Sequence, residues 1–108
     1  MSELTEQIFR VKADEALEQA RKALLPLADE KDFEVELQNG VLQVVFEEPR
    51  PTKFVVSPNA PVRQIWVSAM SRSYKLPWSD EKSGFALDGE SLSALLDRLA
   101  RLHLGAGT

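Results

Sequence analysis

Apolar residues in the first quarter of the chain recur at helical spacing. Phe9, Ala13, Ala16, Leu17, Ala20, Leu24 and Leu27 fall at intervals of three, four and one, which predicts an amphipathic helix from about Thr5 to Leu27. Pro26 marks its expected end. The period then changes to two. From Asp32 to Gln38, Phe33, Val35 and Leu37 point one way and Asp32, Glu34 and Glu36 the other, the pattern of a half-exposed strand. Asn39-Gly40 supplies the positive-φ residues of a tight hairpin turn, and Val41 to Phe46 returns as the second strand. Glu47 to Thr52, with Pro49 and Pro51, reads as a loop, Lys53 to Val56 as a short strand, and Ser57 to Pro61 as another turn.

The stretch from Pro61 to Ser68, running on to about Met70, predicts a strand whose tryptophan sits on the polar side. Ile65 and Val67 point to the core, so Gln64, Trp66 and Ser68 point away from it. A large aromatic among polar neighbours is a candidate contact site for a partner. The plainer reading is a strand offset by twist, with the indole partly covered by Arg63 or a neighbouring strand. Ser73 to Leu76 and Gly84 to Leu87 are further short strands around the polar turn Ser79 to Ser83. Pro77 ends the first of them at a sheet edge, and Trp78 falls in the turn beside it. Asp88-Gly89-Glu90-Ser91 carries helix-start chemistry. Leu92, Leu95, Leu96, Leu99 and Leu102 form the expected buried stripe of a second helix closed by Gly105, and His103 near its end favours the helix dipole.

Helix, five or six strands with short links, then helix predicts an α+β fold. It is a two-layer α/β sandwich with a mainly antiparallel sheet, both terminal helices on one face, and a single domain over residues 1–108. The other face, with Trp66, meets solvent.

Composition narrows the chemistry. The net charge is -4, and residues 1–50 carry 12 acids against 6 bases while residues 51–108 carry 5 against 7. An acidic half argues against nucleic acid and for a basic protein surface or metal cations as partner. The absence of cysteine removes disulfides, thiolate nucleophiles and thiolate-held metals. With no glycine-rich phosphate loop, no His pair and no nucleophile–base pair, an enzyme is not expected. No apolar run is long enough to span a bilayer and no targeting pattern opens the chain, so the expectation is a cytoplasmic protein without membrane contact. The acids Asp29, Glu30, Asp32, Glu34 and Glu36, with Asp14, Glu15 and Glu18 on the first helix, offer oxygen ligands for a hard cation at a shallow, weak site. Read without a ligand, they are a charged edge that blocks strand pairing, and Lys31 among them weakens the metal case.

These elements resemble the bacterial frataxin (CyaY-type) family from about Ile8 to Leu104. The resemblance rests on Asn39-Gly40-Val41-Leu42, on Pro61 followed by Gln64-Ile65-Trp66-Val67-Ser68, on Tyr74 with the strand after it, and on Asp88-Gly89-Glu90-Ser91-Leu92. It implies the same helix–sheet–helix sandwich. It also implies a monomeric adaptor of iron–sulfur cluster assembly that binds iron (Fe2+/Fe3+) weakly through the acidic ridge and modulates a cysteine desulfurase. A scaffold protein would be contacted by Gln64, Trp66, Ser68 and Asn59. Weak iron oxidation at the ridge is the enzymatic variant of that reading. The ridge is thinned by Arg21, Lys22, Leu25, Pro26 and Ala28, so iron binding weaker than the family's is expected. Ser57-Pro58-Asn59 replaces the family's polar approach to the central strand, and Phe85 stands nearest to where a tryptophan is common. A small acidic mixed α/β chaperone for secreted effectors is the alternative; such chaperones carry a middle helix, and no helix-period stretch lies between Phe33 and Leu87.

Overall fold

The computed structural model describes residues 4–105. They run as α1 (Glu6–Lys31), β1 (Glu34–Gln38), β2 (Val41–Phe46), β3 (Thr52–Asn59), a 3-10 turn (Ala60–Val62), β4 (Gln64–Ala69), β5 (Arg72–Ser79), β6 (Gly84–Leu87), β7 (Glu90–Ser91) and α2 (Leu92–Gly105). The strands form one antiparallel meander in sequence order, and both helices pack on the same side of it. The sheet has seven strands rather than five or six. The addition is β7, because Asp88-Gly89 is not a helix start but a hairpin turn, with φ of 52° and 81° and Leu87 paired to Glu90. Ser91 alone caps α2, its Oγ accepting from the Ala94 N–H at 3.2 Å.

Helix α1 opens where its pattern begins, the Thr5 hydroxyl accepting from the Ile8 N–H at 3.2 Å. It does not end at Pro26 but continues to Lys31. Pro26 lies on the exposed side, one turn after exposed Lys22, whose carbonyl it leaves without a helical donor in a place water can reach. Buried Leu27 and Ala28 anchor the turn beyond it. The helix closes at Asp32, left-handed at φ 62°, its N–H donating to the Ala28 carbonyl. Asp32 is therefore a cap rather than the first residue of a strand.

Other boundaries also shift. Ser57 to Asn59 continues β3 instead of turning, paired to β4 at Ser57–Trp66, Pro58–Ile65 and Asn59–Gln64. The last β3 residue paired to β2 is Val56, so Pro58 has a neighbour on one side only, where a strand accepts proline. Pro61 and Val62 belong to the 3-10 turn, Arg63 is left-handed at φ 55°, and the strand proper starts at Gln64. β5 likewise passes through Pro77 to Ser79, since its pairing with β6 begins only at Trp78. Trp78 is thus a strand residue, its ring edge-on to Phe85 at 5.3 Å.

The core gathers Leu42, Val44 and Phe46 of β2, Phe54 and Val56 of β3, Ile65 and Val67 of β4 and Leu76 of β5 under both helical stripes. Leu102 is not among them; it is 52% exposed, and His103 is buried in its place at 4%. At about 100° per residue, position 103 falls within about 20° of Leu92 on the helical wheel and position 102 about 80° away. Helical phase, not side-chain hydrophobicity, decides which of the two enters the core. Between α1 and α2 the described residues contain no helix beyond the 3-10 turn, which is at odds with the effector-chaperone architecture.

Candidate functional site

The uncovered sheet face is laid out by register. Asn59, Gln64 and Pro77 share one row, Ser57, Trp66 and Lys75 the next, and Val55, Ser68 and Ser73 the third. All four residues expected from the sequence to meet a partner, Asn59, Gln64, Trp66 and Ser68, therefore lie on one face. Trp66 is half-buried rather than fully exposed. Its Nε1 donates to Gln64 Oε1 at 2.9 Å, and Lys75 Nζ lies 4.8 Å from the ring centroid. The cover comes from β5 and not from Arg63, which turns to the Leu4 and Ala60 carbonyls. Beside the indole is a hollow of about 380 Å³ bordered by Val55, Ser57, Ser73 and Lys75. An amphipathic ring held in one orientation next to a hollow is an arrangement suited to protein contact.

The carboxylates divide among three places. Asp14, Glu15 and Glu18 lie on α1, Asp29, Glu30 and Asp32 at its carboxyl end, and Glu34 and Glu36 on the outer face of edge strand β1. Glu18 is committed to Arg21 by hydrogen bonds of 2.6 and 3.2 Å, which hold its carboxyl below the usual glutamate range and raise the guanidinium. Glu15 pairs loosely with Lys12 at 3.9 Å. Among the described residues, no group of three or more His, Asp or Glu side chains is placed to hold a metal ion. The carboxylates of the described residues thus offer a diffuse negative field rather than a cluster of three ligands.

The model of the family described as frataxin-like domain matches residues 2–106. The chain belongs to the frataxin-like family. Among its relatives, the iron-sulfur cluster assembly protein CyaY of Pseudomonas fluorescens SBW25 is 31% identical, covering 95% of this chain and 92% of that one. The protein of the same description from Pseudomonas syringae pv. tomato DC3000 is 35% identical over 72% of this chain and 73% of its own. The solved frataxin of Psychromonas ingrahamii superposes with a TM-score of 0.59 at 15% identity, covering 86% and 87% of the two chains, a likeness of fold. This frataxin-like chain also has no helix, among its described residues, long and apolar enough to cross a membrane.

Two residues of this frataxin-like protein escape sequence reasoning. Lys75 reads from the sequence as an ordinary strand lysine, and only the register Trp66–Lys75 puts it on the indole. His103 is not a helix-dipole residue at the surface: its ring packs 4.6 Å from Phe46 and 6.5 Å from Phe54, and its Nε2 has no hydrogen-bond partner. The helical phase of Leu92, Leu95, Leu96 and Leu99 was the signal available for it.

Proposed function

We propose that this chain is a non-enzymatic adaptor of iron–sulfur cluster assembly, the role named for its CyaY relatives. It docks the scaffold protein through the Trp66 face and a basic surface of the cysteine desulfurase through its acids. The observation that carries this reading is Trp66, held by Gln64 and Lys75 on the one sheet face that no helix covers. A chain without cysteine cannot carry sulfur as a thiolate adduct, so its action on the desulfurase is by binding. Iron is a cargo here rather than a resident cofactor. It meets the dispersed carboxylates one or two oxygens at a time, with water completing the shell, which supports weak binding. Such electrostatic docking is steep in salt.

The test is co-precipitation with the cognate desulfurase and scaffold at about 50 and about 500 mM salt. Capture at low salt that fades at high salt is expected, with Trp66→Ala losing the scaffold while keeping the desulfurase. No capture in either condition would sink the proposal.

A further inference from the structure

The row at the start of the docking strand, Asn59, Gln64 and Pro77, is thinly held by the sheet itself. Gln64 is the first residue of β4, opposite Asn59 on β3 and Pro77 on β5, and the next residue, Ile65, lies opposite Pro58. A proline has no N–H, so each flanking strand lacks a possible ladder donor at this end. Arg63, the residue before Gln64, supplies another hold. It is half-buried and left-handed at φ 55°, a conformation ordinary for glycine or asparagine and unusual for arginine. Its backbone N–H donates to the Ala60 carbonyl at 3.1 Å. Its guanidinium donates from Nη1 to that same carbonyl and from Nε to the Leu4 carbonyl at 3.1 Å. Leu4 precedes α1 and is 59 residues away in the chain. One side chain thus joins the entry of the first helix, the 3-10 turn and the beginning of β4. Uncommon backbone held in place by its surroundings points to a functional constraint.

We infer that Arg63 is a positioning residue for the docking face: its guanidinium fork fixes the start of β4, which keeps the Gln64 amide where the Trp66 indole donates to it. The inference rests on the docking role proposed for Trp66. Arg63 acts through Gln64 and touches no partner. Both of its acceptors are neutral carbonyls, so the shape of the fork matters here more than its charge, and lysine, a single point of donation, is no substitute.

The experiment takes two readouts on the ¹⁵N-labelled full chain. One is the Trp66 indole Nε1–H signal, assigned by its loss in Trp66→Phe and read with no partner present; the other is affinity for the cognate scaffold by calorimetry. Arg63→Gly suits the left-handed turn and removes the fork. It is expected to move the Trp66 signal towards its position in Gln64→Ala, to leave the Trp78 signal in place and to weaken scaffold binding about fivefold. The urea midpoint should stay close to that of the wild type, since glycine relieves the backbone as the bonds are lost. In a Gln64→Ala background Arg63→Gly should cost no further affinity, and Arg63→Lys should recover only part of the loss. An unmoved Trp66 signal, additive losses with Gln64→Ala, full affinity in Arg63→Lys or a collapse of the urea midpoint would each overturn the assignment. A wild type that binds no scaffold sinks the docking reading instead, and the indole signal then still decides on Arg63.

Discussion

Gln64 and Trp66 lie two residues apart on one strand, and the indole Nε1 donates to the amide Oε1 at 2.9 Å. Strand alternation puts both on the same face, so the bond costs no change of backbone. It fixes the ring orientation and assigns the amide oxygen inward, leaving the Gln64 NH₂ free to donate to a partner.

Removing Gln64 should therefore loosen the indole more than the fold. Gln64→Ala is expected to lower affinity for the scaffold by about tenfold at a stability cost near 0.5–1 kcal/mol. Trp66→Ala should cost at least about thirtyfold in affinity, as a central aromatic anchor does. Calorimetric binding beside urea unfolding separates the two effects; a Gln64 variant with intact affinity refutes pre-organisation by this bond.

His103 is a polar ring in an aromatic core with Nε2 unpaired. Leaving a buried polar atom unsatisfied costs about 1–3 kcal/mol. His103→Leu is expected to raise the unfolding free energy by about 1 kcal/mol, net of imperfect repacking. Urea titration at neutral pH checks it, and a destabilised variant would mean that the imidazole has a partner such as buried water.

Glu90 receives two hydrogen bonds from Arg98, at 2.8 and 2.9 Å, and these hold its pKa below the ordinary 4.5. A folded-state pKa below the unfolded one adds stability that is complete above the unfolded value and lost as pH falls through the folded one. The advantage of the wild type over Glu90→Gln should accordingly be constant at neutral pH, begin to shrink near 4.5 and vanish only below the lowered folded-state value. Solvent exposure of Arg98 keeps it small. Chemical denaturation of both proteins across this acid range reads it directly.

Asp32 holds a left-handed conformation at the end of α1. Asp32→Gly should stabilise by about 0.5–1 kcal/mol, and Asp32→Val should destabilise by at least about 1 kcal/mol. Asp32→Asn keeps the cap and removes only the charge, so any loss of desulfurase capture in that variant reports electrostatics alone. Thermal melts of the three variants distinguish cap from charge.

Iron oxidation by the wild type should equal that by the triple variant Glu18→Gln, Asp32→Asn, Glu34→Gln, because no three carboxylates among the described residues are grouped to hold a metal ion. Oxygen uptake after Fe²⁺ addition measures both rates; a slower triple variant would establish an oxidising site.

Much of this architecture was legible in periodicity. The stripe from Phe9 to Leu27, the alternation through Phe33, Val35 and Leu37 and the Asn39-Gly40 turn each state a local preference that the fold obeys. Trp66 was placed on the polar side by alternation alone, and the register agrees. Proline misled at Pro26, Pro58 and Pro77, because its penalty depends on whether the lost donor had a partner, which is settled by neighbouring strands and by exposure. Asp88-Gly89 carries signals for both a cap and a hairpin, and the pairing of β6 with β7 chose between them.

By itself the sequence determined which faces are apolar, where the first hairpin reverses, and that its chemistry is carboxylate, amide and indole rather than thiol, since these follow from residue type and short-range spacing. Only the tertiary structure decided that Lys75 lies on Trp66, that Arg21 neutralises Glu18 while the other acids stay dispersed, and that His103 is buried where Leu102 is not. Those facts depend on register, on helix phase and on which elements meet, and such distances between residues far apart in the chain are set by packing of the whole sandwich.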